Sequence, residues 1–506
     1  MWFVVKKDDK TLDRERKGSF FTPQIWVQKS QEYLAKVFGE NWQDEYFIWD
    51  CAAGTGNMLV GLANKYNIWA STLDKQDVGV MQDRIKNGAN LLESHVFQFD
   101  FLNDDFSKLP ENLKKIINSH EKRKKLIIYI TPPYAETMSK GIKHKAGLNQ
   151  TRVNIEYGNK MGNCTNRELF VQFLTRIYFE IPDCIIATFS KLKTLNAPHF
   201  DLFRSFFKAK LKSLFVIPAN TFDNVNGKFP IGFQIWDTGI KRKFKSIKAD
   251  VFNEKEKKLS KKTFICYDNY NFINEWIIET RDRKDENKIG FMACLGNDFQ
   301  QTNVNFIMND KSQMASPRGS WVTDKNMEEV AVYFAVHHCI EPTWLNDRDK
   351  FLYPNEGWKK DNKFKYDCLF FTLFHGQNRI SAKDGINHWI PFTAQEVGAK
   401  DNFESDFMKN YIKGNNFSSE SKDVIKSGRE LWKYYHSKIS SHDNALNDAS
   451  FYDIREFFQG RAASGTMKQK SGDDIYNNLI KNLRQNMSLL AENIRPKVYE
   501  YGFLLE

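Results

Sequence analysis

Two short stretches hold the residues best suited to chemistry. In "WDCAAGTGNML" (49–59), Asp50 precedes Gly54 and Gly56, with Ala52 and Asn57 alongside. Glycines so placed let a backbone turn tightly and approach a ligand closely. The stretch is not GxGxxG and no Lys-Ser/Thr follows, so it makes a poor phosphate loop. Asp50 would repel a pyrophosphate and suits a cationic amino group or sulfonium. Asp74, eighteen residues after Gly56, stands where an acid takes ribose hydroxyls in strand–helix folds. Asp100, in "FQFDFLND", closes a third apolar run; its carboxylate suits an exocyclic amine, with Phe101 beside a purine ring. Each acid taken singly is an ordinary strand end. Three of them in register with a glycine loop favour a site for a nucleoside with a charged amino-acid tail.

The second stretch is "LIIYITPPYAE" (126–136). An apolar run ends in Thr131, Pro132, Pro133 and Tyr134. Proline locks φ, so the pair holds the Pro132 carbonyl in one direction. Thr131 adds a hydroxyl and Tyr134 an aromatic face. Such a group can hold a planar, amine-bearing ring by position and preformed dipoles, without a strong general base.

The elements that must position these residues alternate. Strand-like runs at 46–50, 68–74, 95–100, 125–130, 184–190, 211–219 and 229–238 are separated by helical patterns at 57–66, 78–88, 167–181 and 199–210. Repeated strand–helix units predict an α/β domain with a mostly parallel, Rossmann-like, doubly wound sheet. All three acids then lie at carboxyl ends of strands, where open α/β sheets bind ligands. From about residue 241 the character changes. A charged stretch, "KRKFKSIKADVFNEKEKKLSKK", reads as a solvated hairpin or linker. Residues 263–400 mix short strands with loops, and the last hundred are largely helical. The expected division is 1–240, 241–400 and 401–506.

The 506-residue chain carries a net charge of +11, which favours a polyanionic partner such as nucleic acid. The same Lys-, Asn-, Ile- and Phe-rich bias arises in AT-rich genomes. Its seven cysteines are scattered singly without a CxxC pair, so neither a metal site nor a disulfide framework is suggested. His337-His338-Cys339 reads as core or interface. No apolar run reaches eighteen residues, so no membrane span is expected. The natural setting is a reducing cytoplasm, in a prokaryotic or phage-infected cell.

S-adenosylmethionine is a nucleoside with the required charged tail, and here a resemblance enters. The chain resembles N6-adenine DNA methyltransferases of restriction–modification systems, over roughly residues 18–240. "GSFFTPQIWVQKSQEYL" (18–34) resembles the family's Phe-x-Thr-Pro-type element. The resemblance implies that Phe21, Thr22 and Pro23 contact the methionine part of the cofactor. "DCAAGTGN" resembles its glycine loop and "TPPY" its catalytic Asn-Pro-Pro-Tyr. "NTFDNVNGKFPIGFQIWDT" resembles a later element whose aromatic residue, Phe222 or Phe229 here, helps hold a flipped base. The motif order is that of the gamma class, and the resemblance places DNA recognition in the C-terminal half.

Methylating adenine N6 requires the base outside the duplex. The amine is a poor nucleophile, because its lone pair is delocalised into the ring. Two acceptors on its hydrogens draw the nitrogen toward a tetrahedral shape. The family supplies an Asn oxygen and the first Pro carbonyl. Thr131 departs from that pattern, since its oxygen sits one bond nearer the backbone. Three readings follow for it: a working variant, an inactivating substitution, or a decayed motif in a DNA-binding protein. An RNA- or protein-directed amine methyltransferase is a further alternative. The expected partner is double-stranded DNA. With no PD-(D/E)xK or HNH arrangement in the chain, any restriction endonuclease would be a separate protein.

Overall fold

The computed structural model describes residues 21–134, 150–162, 164, 167–222, 225, 227–281, 287–314, 318–439 and 445–506. Gly18, Ser19 and Phe20 of the N-terminal motif, and Asp223, Asn224 and Asn226 of the later one, lie outside the described residues. The chain divides into two compact units, Met1–Asn269 and Tyr270–Glu506.

The first unit is mixed α/β around a largely parallel sheet. Its strands are β1 (Phe47–Asp50), β2 (Ile68–Thr72), β3 (Val96–Gln98), β4 (Leu126–Ile130), β5 (Ile185–Lys191), β6 (Lys210–Pro218), β7 (Pro230–Asp237), β8 (Ser246–Phe252) and β9 (Lys258–Ile265). They lie in the order β3-β2-β1-β4-β5-β7-β6-β8-β9. Strands β1 to β5 pair in parallel, and β7 is antiparallel to both β5 and β6. The run 3-2-1-4-5 is that of doubly wound dinucleotide-binding sheets, and the antiparallel strand between β5 and β6 departs from it. Strands β2, β4 and β5 are buried along their whole length. Their continuous apolar runs are what a sheet covered on both faces requires.

Helix α1 (Gln24–Phe38) lays Trp26, Val27, Tyr33 and Leu34 into the core on one face. Tyr33 packs 4.7 Å from Phe215 of β6, and Trp26 6.3 Å from Phe252 of β8. Helix α2 (Lys75–Lys86) follows β2, and helix α3 (Leu169–Glu180) precedes β5. The expected helix over 57–66 is absent. A 3₁₀ turn, Asn57–Leu59, is followed by extended Val60 and by Gly61 at φ +88°, which breaks the helical path. The Gln31 side chain of α1 caps this segment instead, donating to the Val60 carbonyl at 2.9 Å.

The charged stretch after residue 240 forms a hairpin, as expected, but the hairpin is no linker. Strand β8 pairs in parallel with β6 and antiparallel with β9, so the sheet and its unit extend past 240 to Asn269.

The second unit has one hydrophobic core running from Ile273 to Leu504, with no break in it near residue 400. Helices α4 (Met327–His338) and α5 (Asn362–Phe374) are its centre and are apolar nearly all round, the mark of fully buried helices. A three-stranded sheet of β10 (Gly290–Ala293), β11 (Phe306–Met308) and β12 (Gly319–Val322) lies in the order β11-β10-β12. The short helix α6 (Phe407–Tyr411) leads to the long helices α7 (Ser419–Lys438) and α8 (Asp474–Glu500). His337 and Cys339 are buried core groups; burial pushes the His337 imidazole down to about 4. Among the described residues no helix is long and apolar enough to cross a membrane.

Candidate functional site

The chain runs outward from β1 to β3 and then returns to β4 on the other side of β1. In open α/β sheets such a reversal marks where ligands bind, beyond the carboxyl ends of the two strands that flank it, here β1 and β4. Trp49 of β1 pairs with Ile128 of β4, so Asp50 and Thr131 emerge at the same end of neighbouring strands.

Asp50 is only 1 % exposed. One carboxylate oxygen accepts from the Ala52 backbone N–H at 3.0 Å. The other is buried and has no hydrogen-bond partner within the protein. Desolvation pushes this carboxyl up to about 7, with the Ala52 N–H opposing it. A buried acceptor without a donor is costly, and a cationic ligand group would satisfy it.

The loop after Asp50 has the backbone its glycines predict. Gly54 and Gly56 sit at φ +53° and +84°, a left-handed conformation unfavourable to other L-residues. A Cβ on Gly54 would meet nothing, whereas one on Gly56 would lie 3.3 Å from the Met81 side chain. Arg84 of α2 clamps the loop, donating to the Thr55 carbonyl at 2.6 Å and to the Asn57 side-chain oxygen at 3.0 Å. Arg84 escapes a reading of local sequence because it lies 29 positions beyond Thr55.

Asp74 stands two residues past β2, at the N-terminus of α2, and its carboxylate makes no capping bond to that helix. Asp100 is differently employed. One oxygen accepts from the backbone N–H groups of Leu102 and Asn103, and the other from the Asn103 side chain at 2.8 Å. Its carboxylate closes its own turn, a common use of Asp after a strand, and Oδ2, with one bond from Asn103, keeps acceptor capacity. Phe101 is buried in the aromatic core. Its ring stacks on Phe173 at 5.2 Å, meets Trp49 at 5.5 Å, and lies 5.0 Å from the Arg176 guanidinium. Arg176, fully buried in α3, also donates to the Phe101 and Asp104 carbonyls and so anchors the turn after β3.

The N-terminal element and the TPPY motif meet directly. Thr22 is buried, and its hydroxyl oxygen lies 2.9 Å from that of Thr131. Thr131 in turn donates to the Met58 sulfur at 3.3 Å. With the Thr131 hydrogen on Met58, Thr22 is the donor of the shared bond, and Thr131 keeps one lone pair free. The cap position of α1 falls on Pro23, without a side-chain bond, so Thr22 is not spent on capping the helix. Phe21, beside them, is 38 % exposed. Three motifs separated by 109 and 73 residues thus converge on one hydroxyl.

Pro132 is buried and Pro133 partly so. Tyr134 is pinned by its hydroxyl, which donates to the Phe189 carbonyl of β5 at 2.9 Å. The Phe222 ring stands edge-on to Tyr134 at 6.4 Å and is 2 % exposed. Phe229, in the segment leading into β7, is partly exposed. Both belong to the connection between β6 and β7, at the same edge of the sheet as the end of β5, where Lys191 pairs with Ile231.

No protein-family model matches the chain, and no curated protein does. Several solved structures are similar to it at low identity. One is the DrdV–DNA complex, at 17% identity over 48% of this chain and 28% of that one, with a TM-score of 0.35. Another is the methyltransferase subunit of a type I restriction–modification system from Streptococcus thermophilus, at 16% identity over 51% of this chain and 53% of that one, with a TM-score of 0.32. A third is the type IIG restriction endonuclease BpuSI, at 16% identity over 48% and 28% of the two chains, with a TM-score of 0.32. This chain therefore covers about a quarter to a half of each of these proteins.

Proposed function

We propose that the chain is a DNA adenine-N6 methyltransferase that uses S-adenosylmethionine. One observation carries the reading. Asp50 presents a buried carboxylate oxygen without a partner, at the strand end where Thr22, Met58 and Thr131 converge. The residues fit the cofactor. Asp50 receives its ammonium group, the loop over Gly54, Gly56 and Asn57 lets it lie against backbone, and Asp74 is free to take ribose hydroxyls. Phe21, Thr22 and Pro23 border its methionine part. When bound, the cofactor supplies an electrophilic methyl group on a sulfonium.

The chain's own part is to hold the acceptor amine. The remaining lone pair of Thr131 Oγ1 and the Pro132 carbonyl accept the two N6 hydrogens, which frees the nitrogen lone pair for attack. Tyr134, fixed by its hydroxyl, offers a ring to the base. Phe229 is the better placed flanking aromatic, because Phe222 is committed to packing against Tyr134 and Phe189. In this reading the second unit contributes to DNA recognition.

A second reading, a DNA-binding homologue with weakened catalysis, draws on the same hydroxyl. Thr131 already engages Thr22 and Met58, leaving a single acceptor site on a side chain shorter than Asn. Transfer of labelled methyl from S-adenosylmethionine to mixed-sequence duplex DNA, with nucleoside analysis, tests both. N6-methyladenine from the unaltered chain is the expected result. Thr131→Asn is expected to raise the rate, by at most about 100-fold, the low end of what one well-placed dipole contributes. Labelling only by the Asn form would establish the second reading. Labelling of RNA in preference to duplex DNA would overturn the choice of substrate.

A further inference from the structure

The second unit contains a cavity of about 450 Å³ between α6, the loop after it, and the first half of α7. Its volume lies within the range of small-molecule sites. Pro391, Ile412, Phe417 and Ile425 give it an apolar floor, and Lys409, Lys413, Lys422, Lys426 and Arg429 stand around it, with no carboxylate in the lining. Glu396 neutralises part of this charge, through Lys409 at 2.7 Å and Arg429 at 3.7 Å. Lys413, Lys422 and Lys426 are exposed. Lys422, Lys426 and Arg429 follow one another at the four- and three-residue spacing that puts side chains on one face of a helix. The Arg429 Nε is buried without a hydrogen-bond partner in the protein, a donor that an anionic ligand would satisfy. Phe417 is held in place by Phe370 at 4.7 Å and Tyr366 at 5.5 Å.

We infer that this cavity binds a nucleoside phosphate, with phosphate oxygens on the lysines and Arg429 and the base over the apolar floor. The ligand is a free mononucleotide or a nucleotide of a nucleic-acid strand, and the same chemistry serves either. The inference is independent of the methyltransferase reading, because every residue in it belongs to the second unit.

The test is equilibrium dialysis of the full chain against labelled dATP and against a labelled single strand of about twelve nucleotides. Saturating S-adenosylhomocysteine is present to compete at the proposed cofactor site. The comparison is the double variant Lys422→Glu with Lys426→Glu, whose exposed positions leave the melting temperature unchanged. Binding of at least one probe is expected to weaken by about 100-fold, since like charges brought together at a site cost several times the thermal energy. Loss confined to dATP supports the free-nucleotide source, and loss confined to the strand supports the polymer. Unchanged binding of both probes in the double variant would overturn the inference. So would deoxyadenosine competing as well as dATP, which removes the phosphate, or inorganic pyrophosphate competing as well, which removes the nucleoside. Because cofactor binding is read separately by S-adenosylhomocysteine dialysis, failure here leaves the first unit's assignment standing.

Discussion

Asp50 couples the proposed cofactor site to pH. Its folded carboxyl sits at about 7 because burial disfavours the anion, well above an exposed aspartate. A group raised on folding contributes stability that is fully present below its unfolded value and is lost as pH rises through the folded one. Without ligand, the protein therefore becomes less stable across the window from about pH 4 to about pH 7 through this residue. Ligand binding runs the other way, because an ammonium group needs the carboxylate anion. Affinity for S-adenosylhomocysteine, followed by calorimetry, is expected to tighten by up to tenfold per unit below about pH 7 and to level off above it. Asp50→Asn should remove that slope, weaken binding, and raise the ligand-free melting temperature at about pH 8. A slope that survives in the Asn variant would place the titrating group elsewhere.

At the scale of elements, the glycine loop is shaped from both sides. Its own glycines supply left-handed turns, and Arg84 of α2 ties Thr55 and Asn57 down. The two glycines differ in what a side chain would meet. Gly54→Ala meets open space and carries the backbone cost alone, about 1–2 kcal/mol. Gly56→Ala adds a contact at 3.3 Å with Met81 and should cost more. Arg84→Met keeps length but removes both bonds, so it should weaken cofactor binding with little loss of stability. Thermal melts and dialysis on the three variants check this order. Equal loss of stability from Gly54→Ala and Gly56→Ala would show that Met81 yields freely.

At the scale of the molecule, each unit has its own core, one around the large sheet and one from Ile273 to Leu504. The proposed cofactor residues all belong to the first. Hydrogen exchange with and without S-adenosylhomocysteine is expected to show protection within residues 22–30, 50–60 and 72–76. Segments of the second unit should keep their exchange rates. Protection that appears first in the helices after residue 400 would put the ligand in the other unit.

Local pattern determined much of this protein. The apolar runs ending in Asp50, near Asp74 and at Thr131 became β1, β2 and β4, because a strand buried on both faces needs continuous apolar residues. The glycines of the loop turn where their spacing placed them, since only glycine tolerates those angles cheaply. Tertiary structure alone decided the rest. It broke the expected helix at 57–66 at Gly61, made β8 and β9 part of the sheet by pairing β8 with β6, and merged the C-terminal half into one core. It engaged Asp100 in its own turn and Phe101 in the aromatic core, uses that depend on Asn103, Phe173 and Arg176. It also brought Thr22, Met58 and Thr131 to one point. Hydrogen bonds between residues some seventy to a hundred positions apart leave no trace in local periodicity, so the convergence that defines the candidate site became visible only in the fold.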